Sequence, residues 1–249
     1  MHKLALYLVS FFSISWLSLP ASAHRGNPLF SLPAEGIVAD GNFGDWPDSA
    51  QRYSQSTTDG FAVDFMVAHN PNKQLLYLAV HATNDSLYSD REQVWDSDAC
   101  LVETNALHGV RTTENSIVYA MVPTDSIAAP LAYRANQLID VDKTGVQGAV
   151  HVGDGFINYE WIIPVQHVFL AFDLRVQDRV TSGQTSALGW ANGSGTSGHS
   201  PRDLADLLLL QDESSLAQVE GRIVSGGDQP QKGWISIRDI GQPVRIGLV

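Results

Sequence analysis

The chain has little cysteine and little positive charge, and each shortage removes a class of protein. Cys100 is the single cysteine among 249 residues, so no disulfide can form within the chain. It sits in the apolar run Ala99-Cys100-Leu101-Val102, where a buried structural thiol is expected. Lysine and arginine number 15 against 27 acidic residues, a formal net charge of −12. Without a basic cluster, the chain lacks the cations that nucleic-acid phosphates demand. It also lacks the polybasic patch that draws proteins to anionic membranes. Beyond residue 23 no apolar stretch is long enough to span a bilayer. The G-x-S-x-G, H-E-x-x-H and phosphate-loop patterns are absent, and with them the common signatures of catalysis. No C-x-x-C-H occurs, which excludes covalent haem.

What is present begins with a leader. His2 and Lys3 are followed by an almost wholly apolar stretch over residues 4–19, and Pro20-Ala21-Ser22-Ala23 closes it with small residues. That is the layout of a secretory signal peptide over residues 1–23. Cleavage after Ala23 would leave a chain beginning at His24, exported to the periplasm or the extracellular space. The apolar stretch is shorter than the roughly 20 residues a membrane span prefers, and Pro20 interrupts it.

Strand patterns fill the rest. Residues 61–67 and 75–81 are rich in β-formers, and the turn residues His69-Asn70-Pro71-Asn72-Lys73 join them into a hairpin. Further strands are expected at 100–104, 116–121, 149–152, 156–163, 174–177, 187–190 and 207–210. Gly153-Asp154-Gly155 marks a second hairpin. There is no long helical period. Many short strands joined by Gly-, Pro- and Asn-rich turns predict an all-β fold, an antiparallel β-sandwich of two packed sheets, immunoglobulin-like or jelly-roll-like. The domain is expected over 34–212. The Gly/Ser-rich segment 192–198 is expected as an exposed loop within it. Residues 213–249 are expected to begin a small β-rich accessory unit, with strands at 219–224 and 234–238, and so form a short C-terminal extension. This last part resembles the opening of a carboxypeptidase regulatory-like domain.

Asp40-Gly41-Asn42-Phe43-Gly44-Asp45-Trp46 combines a tight turn with aromatic residues that return to the core, and Trp46 reads as a core anchor. The segment resembles the opening motif of family 9 carbohydrate-binding modules. Leu76-Tyr77-Leu78-Ala79-Val80 before Asn84-Asp85, Trp95-Asp96-Ser97-Asp98, Tyr159-Glu160-Trp161-Ile162-Ile163-Pro164, Leu174-Arg175-Val176-Gln177-Asp178 and Leu188-Gly189-Trp190 are similar to its later motifs, in the family's order. The resemblance covers residues 36–210. One position departs: the family usually places a Glu three residues after the Asp of its central motif, where this chain has Leu101. Glu103 lies two residues further along, on the same strand face. The wider superfamily includes DOMON-type domains, some of which bind haem.

The resemblance implies a non-catalytic module that recognises a carbohydrate or other small ligand, in the manner of the sensing or targeting front of a larger protein. Sugars present apolar C–H faces and hydroxyl edges, so a site needs exposed rings and neighbouring polar groups. In the family two Trp rings sandwich a sugar, and Trp95 and Trp190 stand near the matching positions, with Asp98 and Asn192 as hydrogen-bonding groups. The other reading of both Trp residues is packing on the core. Asp85, Asp90, Asp96 and Asp98 either hold calcium or are solvated loop acids; their spacing matches no EF-hand. Haem is the alternative cofactor, with Met66, Met121, His69 and His151 as axial candidates.

Overall fold

A computed structural model describes residues 28–58, 60–83, 86–106, 116–123, 129–179, 185–191, 204–212, 233–239 and 242–248. The leader, Asp85, the strand expected at 219–224, Asn192 and the rest of the Gly/Ser-rich segment lie outside the described residues. The strands are β1 (Leu29–Pro33), β2 (Gln51–Ser56), β3 (Ala62–Asn70), β4 (Leu75–Thr83), β5 (Ala99–Asn105), β6 (Ser116–Met121), β7 (Leu131–Arg134) and β8 (Gln137–Ile139). They continue with β9 (Gln147–Gly153), β10 (Phe156–Pro164), β11 (Phe169–Arg179), β12 (Thr185–Gly189), β13 (Ala205–Leu209), β14 (Gly233–Asp239) and β15 (Gln242–Leu248). Every strand expected between residues 61 and 210 is present, as are the β3–β4 and β9–β10 hairpins. The strand expected at 234–238 is β14, which pairs with β15.

Two groups of strands make up the body of the fold. The first runs β8-β7-β6-β5-β11-β13, with β12 also on β11; the second runs β3-β4-β10-β9, with β2 on β3. β1 joins them. Its residues Leu29, Phe30 and Ser31 pair with β13, and Leu32 and Pro33 pair with β3. Both pairings are parallel, which corrects the expectation of a purely antiparallel fold. One strand can serve two sheets in this way only where it crosses the corner between them, so its direction is fixed by the crossing rather than by a hairpin.

Alternation sorts the side chains. Val63, Phe65, Leu78, Val80, Tyr159 and Trp161 of the second group share one core cluster with Cys100, Val102, Tyr119, Met121, Phe172 and Leu174 of the first. Trp161 is fully buried. Burial pushes the Cys100 thiol up to about 12, as expected of an inert structural cysteine.

The outward face of the second group is covered by the segment that precedes β2. Ala34, Ile37, Trp46 and Ala50 pack there on Met66, Ala68, Tyr77, Ala79 and Ile162. The opening motif is the clasp. Glu160 on β10 is fully buried and accepts three hydrogen bonds: from Trp46 Nε1 at 2.6 Å, Asp40 N at 3.0 Å and Gly41 N at 2.9 Å. Burial still pushes its pKa up, although all three donors oppose that shift. Gly41 has φ +82°, and a Cβ there would stand 2.9 Å from His151 Cβ, so only glycine fits. Asp45 accepts from Val38 N at 2.7 Å and fixes the approach to the motif.

Candidate functional site

The outward face of the first group carries an apolar cluster of its own. On β5, β6 and β7 the residues opposite in phase to the core are Ala99, Leu101, Ala120 and Val122, which are buried, and Val118, Leu131 and Tyr133, which are partly buried. Pairing sets them in rows: Arg175, Leu101, Ala120 and Leu131 in one, and Asp173, Glu103, Val118 and Tyr133 in the next. The 3-10 turn at Val94–Asp96 hangs over the edge of this face. Val94 is its buried foot, and Trp95 stands 39% exposed with its ring 5.6 Å from that of Tyr133, tilted by 52°.

Trp95 is held in place from beneath. Asp98 is fully buried, and its carboxylate accepts from Tyr88 N at 2.7 Å and Arg179 N at 2.6 Å. The Ser97 hydroxyl donates to Asp90 O and Gln93 O. Gln177 Nε2 donates to Val94 O and Ser97 O, each at 2.7 Å. The Arg179 guanidinium lies 4.5 Å above the Tyr88 ring and pairs with Asp96. A carboxylate with two backbone donors, one on β11 and one on the loop, ties the loop to the sheet and pre-sets the indole.

Polar groups lie further across the same face, on β5 and β11. Asp173 faces Glu103 across β11 and β5, and Arg175 follows on the same face. Burial pushes the Asp173 carboxyl up to about 7, with the charge of Glu103 adding to it and the Ala191 and Leu174 backbone N–H groups opposing. Ala191 N donates to Asp173 at 2.8 Å. The buried Nε–H of Arg175 has no hydrogen-bond partner among the described residues. A part-exposed aromatic pair, with carboxyl and guanidinium groups further across the same sheet face, suits a ligand with an apolar face and hydroxyl edges.

The structure separates the four residues singled out in the sequence. Trp95 is on this face. Trp190 is partly buried, packs on the core and meets Tyr53 and Phe65 edge-on, at 5.1 and 5.2 Å between ring centroids. The two indoles are therefore set against different partners on opposite faces of the first sheet. Asp98 fastens the loop from within the protein instead of facing outward, and Asn192 lies outside the described residues. The residues that the sequence reading missed are Tyr133, Asp173 and Arg175. A signal for the last two was present: along Phe172-Asp173-Leu174-Arg175-Val176 charge alternates with core residues, placing both charges on one face.

Among the described residues neither set of cofactor candidates is brought together as a site. Asp90 accepts from Glu92 N, Asp96 pairs with Arg179 and Asp98 accepts from backbone donors, while Asp85 lies outside the described residues. Among the described residues no group of three His, Cys, Asp or Glu could hold a metal. Met121 and Met66 belong to different core clusters, and the His69 ring bonds to the Ser31 hydroxyl at 3.0 Å, so they do not form an axial pair. No helix among the described residues is long and apolar enough to cross a membrane.

No family model and no curated protein matches the chain. Solved structures do. A family 9 carbohydrate-binding module from Caldicellulosiruptor kristjanssonii in complex with glucose is similar over 74% of this chain and 96% of that one, with 13% identity and a TM-score of 0.58. The module in complex with cellotriose gives 12% identity and a TM-score of 0.60 over 74% and 94% of the two chains. A Bacteroides uniformis protein, provisionally named as carbohydrate-binding, gives 12% identity and 0.55 over 74% and 100%. At such identities the likeness is one of fold: the chain has the fold of family 9 carbohydrate-binding modules.

Proposed function

We propose that this chain is an exported, non-catalytic carbohydrate-binding β-sandwich, with residues 34–212 as the module and 213–249 as the start of an accessory unit. The sugar lies on the outward face of β5, β6 and β7. Trp95 stacks on the C–H face of a pyranose ring, and Tyr133 extends the platform. Glu103, Asp173 and Arg175, further across the same face, bond to the hydroxyls of adjoining sugar units. Trp190 and Asp98 act indirectly, the first by filling the core beside β2 and β3, the second by holding the Trp95 loop.

The observation that carries the reading is a part-exposed Trp95, set against the Tyr133 ring and braced by fully buried polar groups. An indole kept rigid at the surface forfeits little entropy on binding, which is where a stacking residue gains most. The glucose and cellotriose bound by the structurally similar modules make neutral β-linked glucans the first ligands to try.

Electrophoresis of the purified chain through gels containing soluble glucans, xylans and mannans tests the proposal. Retardation by at least one polysaccharide, relieved by its free oligosaccharide, is expected. Migration indifferent to every one of them would contradict it.

A further inference from the structure

At the end of β5 remote from Trp95, the two groups of strands part around a cleft of about 670 Å³. Its floor is apolar core, including Ile117, Tyr119, Val165 and Leu170. Its rim holds Lys73, Arg134 and Lys143 against a single acid, Asp140. In a chain of net charge −12, whose lysines are Lys3, Lys73, Lys143 and Lys232, this is an inversion of the general balance. Lys143 is paired with Asp140 at 3.4 Å, but no ion pair involves Lys73 or Arg134 among the described residues. Arg134 is close enough to Tyr119 for its charge to oppose the rise that burial gives the phenol's pKa.

Two hairpin turns set the cations at the cleft. Among the described residues, the non-glycine residues with positive φ are Gln74 at 55°, Ala135 at 48° and Asn136 at 62°. Gln74 follows Lys73, and Ala135 and Asn136 follow Arg134. Ala135 and Asn136 are the two loop residues of the β7–β8 hairpin, where positive φ at both positions is the ordinary geometry of the turn, and Gln74 closes the β3–β4 hairpin. Each of these turns presents a cation, Lys73 or Arg134, to the cleft. Gln74 is further fixed by Val165 N, which donates to its carbonyl at 2.9 Å.

We propose that this cleft is a second binding site, for a carboxylate carried on a sugar-sized body. Lys73 and Arg134 meet the carboxylate while Ile117, Tyr119 and Leu170 receive the apolar face. A uronic acid within a glycan has this chemistry, and so does a free organic acid. A cavity of this size accommodates either, being within the ordinary range for small-molecule sites. The proposal does not depend on the Trp95 face.

Calorimetric titration of the full chain at low salt with trigalacturonate, with citrate and with neutral cellotriose decides it. The comparison uses wild type, the double variant Lys73→Gln/Arg134→Gln and Trp95→Ala. Both cations are exposed, so the double variant is expected to melt like wild type. Saturable binding of trigalacturonate or citrate, weakened about tenfold or more in the double variant and unchanged in Trp95→Ala, upholds the site, and the tighter of the two names the source. Cellotriose binding is expected to show the reverse pattern, so failure of one site is distinguishable from failure of the other. No saturation by either acid at millimolar concentration, or equal affinity in wild type and double variant, would overturn the proposal.

Discussion

Replacing Glu160 with Ala strikes the contact on which the covered side of the fold depends. Glu160 receives Trp46 Nε1, Asp40 N and Gly41 N, so its removal orphans three donors at once. Each buried donor left without a partner costs about 1–3 kcal/mol. Two terms reduce the sum. Asp40 is exposed and its N–H can turn to water, and the folded state no longer buries a carboxylate whose raised pKa records a desolvation cost. The net loss is about 3–5 kcal/mol, the range for breaking a buried charged contact from one side. For a domain of this size about 1 kcal/mol lowers Tm by roughly 2–4 °C, so the melting temperature should fall by about 6–20 °C. Glu160→Gln keeps the volume and one good acceptor but turns an NH2 group toward donors, and should fall between Ala and wild type. Thermal unfolding at neutral pH by circular dichroism, checked by calorimetry, measures both. An unchanged Tm in Glu160→Ala would refute the reasoning, because it would mean that the Asp40–Trp46 segment does not rely on this carboxylate.

Other consequences are equally open to measurement. Gly41→Ala meets a left-handed φ and the His151 side chain together, and should cost about 2 kcal/mol or more in urea unfolding, where an ordinary surface Gly→Ala change costs far less. His69 is buried and its pKa is lowered to about 4 from 6.5, so the unfolded chain binds the extra proton first; stability should fall as pH drops from about 6.5 toward 4, and His69→Gln should flatten that slope. Asp173, raised to about 7, has the opposite sign: its contribution to stability is present at low pH and is lost as pH rises through 7. If Asp173 accepts from a sugar hydroxyl, affinity strengthens over that same rise, and Asp173→Asn removes the change.

The sequence patterns that could be read were those governed by one rule at a time. β3, β4, β5 and β10 show β-formers between turn residues, and alternation alone places them. β1 escaped because Leu29, Phe30, Ser31 and Leu32 are all buried, so no alternation marks it, and its parallel pairing across a corner has no local signature. β2, Gln51–Ser56, escaped because it is polar in composition and lies at an edge. The site divides similarly. That Trp95 stands in a loop beside acidic residues is legible locally. Whether Trp190 faces outward or inward depends on its register with β11, where its N–H bonds to the carbonyl of the core residue Leu174; that pairing of residues distant in sequence is not written locally. Asp98 has the composition of a ligand group, and only its two backbone donors reveal a fastening. Tyr133 joins the site through pairing of β6 with β7, two strands separated by a loop.

The central claim is that Trp95, and not Trp190, is the surface on which the sugar stacks. Its most direct test is a calorimetric titration of wild type, Trp95→Ala and Trp190→Ala with the oligosaccharide that relieves retardation in polysaccharide gels, each variant's Tm being recorded beside it. Trp95→Ala should lose about 2 kcal/mol of binding, roughly 30-fold, at an unchanged Tm. Trp190→Ala should lose stability while its folded fraction still binds. Wild-type affinity in Trp95→Ala, or a chain that binds no glycan at all, would contradict the account.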